Sequence, residues 1–138
     1  MRALSLNLFG RNADWPARRQ ALQEGLRRLR PDVLALQEAV VDETGDQAAE
    51  LLGPEYHLAH QTRSLVGDGR HHGASVASRW PILEVSEVDL HLTPRTGDDS
   101  CGTVVAEVAA PASLGRLLVA GRVSTATSPA SPSSPPTP

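Results

Sequence analysis

Hydrophobic and polar positions alternate at the start of the chain: Leu4, Leu6 and Leu8 fall on one side, Ser5, Asn7 and Phe9 on the other. A period of two over Ala3 to Phe9 predicts a strand. Gly10, Asn12 and Asp14 read as a loop, and Asp14 ahead of Pro16 is a helix-start signal. Trp15, Leu22, Leu26 and Leu29 then recur at i, i+7, i+11 and i+14, a single apolar stripe on a helix. Arg18, Arg19, Arg27 and Arg28 lie mostly off that stripe, and Pro31 stops the helix. Val33 to Leu36 is an uninterrupted apolar run, predicted to be a short strand covered on both faces.

Strand, helix and buried strand make a βαβ unit with a right-handed crossover and parallel strands, adjacent or nearly so. Parallel strands send their carboxyl ends to one edge of the sheet. Asn7 near the end of the first strand and Glu38 at the end of the second are therefore expected to meet at the edge where open α/β sheets bind ligands. Farther on, Asp46 to Leu52 suits a short helix closed by Gly53, followed by a strand around Tyr56 to Ala59. A loop rich in Gly, Arg and His leads into GASVASRWPI, Gly73 to Ile82, with a break at Pro81. Leu83 to Leu92 alternates, TPRTGDDSCG is a turn cluster, and Thr103 to Val108 with Arg116 to Ala120 suits a hairpin.

At Val123 the character changes. VSTATSPASPSSPPTP holds five Pro, five Ser and three Thr in sixteen residues, and no aromatic. Such a segment buries too little apolar surface to offset the entropy of ordering, so residues 122–138 are expected to be a disordered tail behind one domain over 1–121. The net charge of −3 gives no general pull toward nucleic acid or anionic lipid. All 13 basic residues are Arg. The lone Cys101 rules out an internal disulfide. Ser5 and Asn7 interrupt the amino-terminal apolar residues, which excludes a clean secretory h-region, and no run approaches a membrane span; a cytoplasmic protein is expected.

Glu38 follows its apolar run with no turn residue between, where a carboxylate is costly unless it has a task. One reading is a solvated ion pair or turn cap. The other is a metal ligand, since Mg²⁺ is commonly held by one or two carboxylates with water and substrate phosphate completing its shell.

LSLNLFG, an amphipathic helix, PDVLALQE and then GASVASRWPI, in this order, resemble the amino-terminal half of the endonuclease/exonuclease/phosphatase superfamily, the deoxyribonuclease I-like proteins. The resemblance implies an incomplete four-layer α/β sandwich: a first sheet with its helices and part of a second sheet. It implies a divalent-metal-dependent phosphoester hydrolase (phosphodiesterase, nuclease or phosphatase) using Mg²⁺ or Mn²⁺ on phosphate-ester substrates, nucleic acid among them. By position, Glu38 matches the family's metal-binding glutamate and Asn7 the asparagine that helps orient metal and scissile phosphate; both are candidate catalytic and metal residues. Ser78 and Arg79 match a strand motif that is mainly structural.

The sequence also departs from the family. LLVAG is followed by RVSTATSPASP where the family has a His, and neither a G-D-x-N nor an S-D-H occurs. A truncated or frameshifted chain with little activity is the expectation, and the coding DNA read in the other frames past codon 121 would test it. The alternative is a non-catalytic remnant that binds metal weakly or self-associates through an uncovered sheet. P-x-x-P spacings at Pro129, Pro132, Pro135 and Pro138 lack flanking basic residues, which weakens a peptide-ligand reading.

The remaining polar residues suit structural roles. His71 and His72 with Asp68 lack a third ligand of suitable spacing, and His57 and His60 are expected on opposite strand faces. Asp89 and His91 suit a solvated strand face, Asp98 and Asp99 a turn. Cys101 has no His nearby, and no motif supports phosphate contacts for Arg63, Arg70 or Arg79.

Overall fold

The computed structural model of the chain describes residues 1–62, 72–89 and 102–123. The first strand, β1 (Ala3–Asn7), enters helix α1 (Trp15–Leu29), which leads to β2 (Val33–Asp42). A two-residue β3 (Gly45–Asp46), the short helix α2 (Gln47–Leu52) and β4 (His57–His60) follow. Then come β5 (His72–Ser78), β6 (Ile82–Asp89), β7 (Gly102–Ala109) and β8 (Arg116–Val123). The first sheet has the order β1-β2-β5-β4, with β3 paired to β2; the second has the order β6-β7-β8. β1 and β2 are parallel, in register from Ala3↔Val33 to Asn7↔Gln37. The expected βαβ unit and the β7–β8 hairpin are both present.

Local chemistry accounts for the helix ends. The Asp14 carboxylate accepts the Ala17 N–H, with Pro16 in the first turn. Arg30 closes α1 in the left-handed region, its N–H returning to the Leu26 carbonyl ahead of Pro31. Asp46 caps α2 through the Ala49 N–H, and Gly53 at φ 73° ends it, a conformation glycine adopts without Cβ strain. The α1 stripe is buried at Trp15 and Leu26 and half-buried at Leu22, but Leu29, in the last turn, is exposed.

Two cores result. Leu8, Leu26, Leu34, Leu36, Ala48, Leu51 and Ala77 join α1 and α2 to one face of the first sheet. Ala59, Ala74, Val76, Val104, Ala106 and Val108 join its other face to the second sheet. Helices, sheet and sheet are three layers of the α/β sandwich. β8 lies against β5 so closely that a Cβ on Gly121 would meet the Ser75 carbonyl oxygen at 3.2 Å. The glycine of LLVAG therefore permits the contact between sheets.

The structure departs from the sequence reading in one respect that bears on function. β2 is not the short run Val33 to Leu36 but ten residues long, reaching Asp42. Glu38 lies inside it, where the pairing with β5 shifts between Leu36 and Ala39. Farther on, β8 continues to Val123, two residues beyond the expected end of the domain at 121. The rest of the Pro/Ser/Thr-rich tail, His71, Asp68, Arg63, Arg70, His91, Asp98, Asp99 and Cys101 lie outside the described residues. Among the described residues no helix is long and apolar enough to cross a membrane.

Leu34 is fully buried between β2's neighbours and the helices. Leu34→Ala should lower unfolding stability by about 2–5 kcal/mol, read from urea denaturation, because the close-packed site leaves a cavity.

Candidate functional site

β1 and β2 deliver Asn7 and Glu38 to the same edge, as the parallel register requires, and the Asn7 amide Nδ2 donates to Glu38 Oε1 at 2.9 Å. The regular parallel ladder stops at Asn7↔Gln37. One residue later the β2 backbone turns: Glu38 has φ 53°, in the left-handed region. A left-handed non-glycine residue inside a strand marks a bulge, and such residues cost of order 1–3 kcal/mol and persist only where their surroundings over-determine them. The bulge separates Glu38 from the flanking Leu36 and Ala39, whose side chains enter the core. A carboxylate in the middle of a largely apolar strand is thereby delivered to the half-buried rim.

Asn7 is held at both ends of its amide. Its Oδ1 accepts the Phe9 N–H at 2.7 Å, a side-chain-to-backbone turn that asparagine forms readily. With Oδ1 so used, Nδ2 is the end that faces Glu38, and among the described residues the other carboxylate oxygen of Glu38 has no hydrogen-bond partner. Gln37, between them in sequence, bridges β1 and β2: its Nε2 donates to Ser5 Oγ at 3.2 Å and to the Ala35 carbonyl at 3.1 Å.

The loop after β1 is fastened from three directions. Leu8 N–H donates to the Gln37 carbonyl at 2.8 Å, and Gly10 N–H to the Glu38 carbonyl at 3.0 Å. Arg18 on α1 donates to the Leu8 carbonyl at 2.6 Å and the Asn12 carbonyl at 2.9 Å. Its guanidinium also lies 5.9 Å from the Phe9 ring and 5.8 Å from that of Trp15, within cation–π range. Arg11 makes a two-pronged pair with Glu50 of α2, at 3.0 and 2.6 Å. These bonds hold Phe9 and Gly10, themselves left-handed at φ 54° and 53°.

The donor set fits a hard divalent cation in one respect: Glu38 offers an oriented carboxylate beside an amide, and oxygen ligands suit Mg²⁺ or Mn²⁺. The set is sparse, since among the described residues no group of three or more His, Cys, Asp or Glu gathers to hold a metal.

Other polar residues meet elsewhere. His60 lies between Ser75 Oγ, 2.8 Å from Nδ1, and Asp46 Oδ2, 2.9 Å from Nε2. The trio has the residue types of a nucleophilic triad, but Ser75 is only 1% exposed and stands opposite Leu36 on the helix-covered face. Its role is to tie β4 and β5 to the start of α2. His57, as expected, takes no part in that cluster and is exposed. Arg79 faces Asp32 at 3.9 Å, at the far end of β5 from the bulge. Ser78 is fully buried and accepts the Trp80 N–H, a structural use of the strand motif.

Sequence reasoning missed Gln47, which is fully buried. Its Oε1 accepts the Val40 N–H at 3.0 Å and its Nε2 donates to the Gly10 carbonyl at 2.6 Å. Only a weak signal marks it: Gln47 stands one helical turn before Leu51, on the buried stripe of α2.

The family model described as Endonuclease/Exonuclease/phosphatase family matches residues 4–138. No curated protein matches the chain. An endonuclease/exonuclease/phosphatase from Beutenbergia cavernae DSM 12333 superposes with TM-score 0.66 at 22% identity, over 95% of this chain and 39% of its own. An endonuclease/exonuclease/phosphatase family protein from Leptotrichia buccalis C-1013-b gives 0.67 at 15% identity, over 88% and 52%. D. rerio TDP2, complexed with single strand DNA product, gives 0.63 at 17% identity, over 85% and 43%. The chain thus spans between two fifths and about half of these structures' length, and the likeness is one of fold.

The Arg11 guanidinium, donating to Glu50, holds that carboxyl below the ordinary glutamate range, against a smaller opposing effect of burial. A carboxyl lowered in the folded state stabilises above its unfolded pKa and loses that contribution as pH falls through the folded value. Stability should therefore drop as pH falls below the ordinary glutamate range of about 4.3. Glu50→Gln should make the urea midpoint less dependent on pH across that window than in the unsubstituted protein.

Proposed function

The chain belongs to the endonuclease/exonuclease/phosphatase family, and on that footing we propose that Asn7 and Glu38 form the cation-holding part of a phosphoester-hydrolysing centre. The observation that carries this reading is the left-handed bulge that turns Glu38 to the rim, where Asn7 grips one carboxylate oxygen at 2.9 Å. A solvated surface glutamate would not need that backbone conformation, and a turn cap would end the strand rather than interrupt it.

Glu38 is the residue to hold the cation, through the oxygen that Asn7 does not engage. Asn7 orients the carboxylate through Nδ2, and the second lone pair of its Oδ1 remains for cation or substrate. When bound there, Mg²⁺ or Mn²⁺ would neutralise charge on the phosphoryl oxygens. The substrate class is a phosphate ester; TDP2's single strand DNA product makes nucleic acid a candidate to test first. The sequence contains no G-D-x-N and no S-D-H. A positioned acid–base group commonly contributes about 10²–10⁴-fold, so hydrolysis by this chain should be slow against a complete family member.

A second reading rests on the outer face of the second sheet. Val104, Ala106 and Val108 of β7 point inward and are fully buried. The register then places Val88, Val105 and Leu118 outward, and Leu118 is 75% exposed. A remnant that associates through this face would appear in light scattering as a concentration-dependent mass above that of one chain.

Mn²⁺ or Mg²⁺ should raise release of product from a generic phosphodiester above the buffer rate, and Glu38→Ala should abolish the increase. Mn²⁺ titrated alone should bind the unsubstituted chain and not the variant. No binding by either, with the fold intact by circular dichroism, would remove the metal centre from this chain.

A further inference from the structure

We propose that Gln47 is the positioning residue of the Asn7–Glu38 pair; this rests on the functional reading above for its consequence but on separate observations for its geometry. The Gln47 side chain is fully buried and closes a circuit of hydrogen bonds around the bulge. Its Oε1 takes the N–H of Val40, two residues beyond Glu38, at 3.0 Å. Its Nε2 gives to the carbonyl of Gly10 at 2.6 Å, and the N–H of that same Gly10 gives to the Glu38 carbonyl at 3.0 Å. Glu38 is thus enclosed between Gly10 and Val40, with one amide joining both.

Each part of the circuit is needed. The parallel ladder with β1 stops at Asn7↔Gln37, so the Val40 N–H of β2 has no β1 strand partner. The Gly10 carbonyl likewise sits in a left-handed loop outside any ladder. A buried N–H or C=O left unpaired costs as much as the strain of a left-handed glutamate. With Gln47 absent, the strand lowers its energy by straightening, and a straight strand swings Glu38 off the rim and away from Asn7.

The position demands glutamine's chemistry. It requires an acceptor for Val40 and a donor for Gly10 on one planar group at this reach. A glutamate carboxylate has no donor and would set its charge against the Gly10 carbonyl; methionine fills the space and satisfies neither. Asp46 and α2 hold Gln47 in turn: Asp46 caps the helix, and Ala48 and Leu51 anchor it in the core.

The test uses the full chain with Gln47→Met and Glu38→Ala, first without metal. The side-chain amide protons of Asn7, shifted by the Glu38 carboxylate, report the pair directly by NMR. Gln47→Met should collapse that shift toward the value in Glu38→Ala while the Leu34 and Leu36 methyl resonances stay dispersed. It should also weaken Mn²⁺ binding by about 10–100-fold, the usual loss when a group that orients a metal-binding side chain is removed. An unchanged Asn7 signal in folded Gln47→Met overturns the proposal. So does Mn²⁺ affinity within twofold of the unsubstituted chain when Glu38→Ala abolishes binding. A collapsed Asn7 signal with no Mn²⁺ binding to any of the three proteins upholds the positioning role and sinks the metal reading instead.

If Gln47→Met does not fold, Gln47→Glu decides by its pH dependence. A protonated Glu at this site has both the donor and the acceptor of the amide, and the ionised form lacks the donor. The Asn7 shift should match the unsubstituted chain at low pH and depart from it as pH rises. A shift that tracks the unsubstituted chain at every pH up to its alkaline limit of folding overturns the proposal.

Discussion

β2 has to satisfy two neighbours that ask different things of it. On one side β1 runs parallel and in register as far as Asn7↔Gln37; on the other β5 runs antiparallel and loses register between Leu36 and Ala39. The backbone meets both by adopting a left-handed conformation at Glu38. Leu36 and Ala39 can then both enter the helix-side core while the acidic side chain between them leaves it. Burial of those neighbours makes the bulge hard to slide, since moving a strand by one residue exchanges its two faces. The position of Glu38, its contact with Asn7 and the shape of the loop after β1 all depend on this one break in the ladder.

The helices do more than cover the sheet. α1 sends Arg18 to the Leu8 and Asn12 carbonyls, and α2 sends Gln47 to Gly10 and Val40 and Glu50 to Arg11. The Arg18 and Gln47 bonds end on backbone groups of the loop after β1 and of β2 just past the bulge, and Glu50 fixes the Arg11 side chain of the same loop. Phe9, Gly10 and Glu38 can stay left-handed because polar side chains from the neighbouring layer take up the groups that a regular ladder would have used. The rim is in this sense built by the helices and only delivered by the strands. Placing the rim on two strands and a bonded loop suits the proposed site, whose chemistry would depend on the orientation of one carboxylate.

Much of this was legible beforehand. The period of two in LSLNLF, the stripe through Trp15, Leu22 and Leu26, and the apolar VLAL define a parallel βαβ unit, and parallel strands bring Asn7 and Glu38 together without further information. Asp14, Asp46 and Gly53 mark helix ends by chemistry local to the backbone. The continuation of β2 to Asp42 was not legible, because Ala39 and Val40 pair with Gly73 and His72, more than thirty residues away, while the local pairing of Val41 and Asp42 with Asp46 and Gly45 is only two residues long. Leu29 completes a helical stripe on paper but stands exposed in the last turn of α1, since burial is set by what packs against a helix and not by its own periodicity. The His60 link to Asp46 and Ser75 joins three elements and leaves no local pattern.

What the sequence alone determined was which residues alternate, where helices start and stop, and that an amide and a carboxylate share one edge of a sheet. Those properties follow from periodicity and from the shapes of individual residues, and they act over a few neighbours. Only the tertiary structure decided that Glu38 is turned outward by a bulge rather than by the end of its strand. It alone decided that Gln47, an unremarked polar residue at the start of a short helix, is sealed against Gly10 and Val40. Register and buried hydrogen bonding depend on partners brought from afar, so their physical causes lie in the packed layers rather than in any stretch of chain.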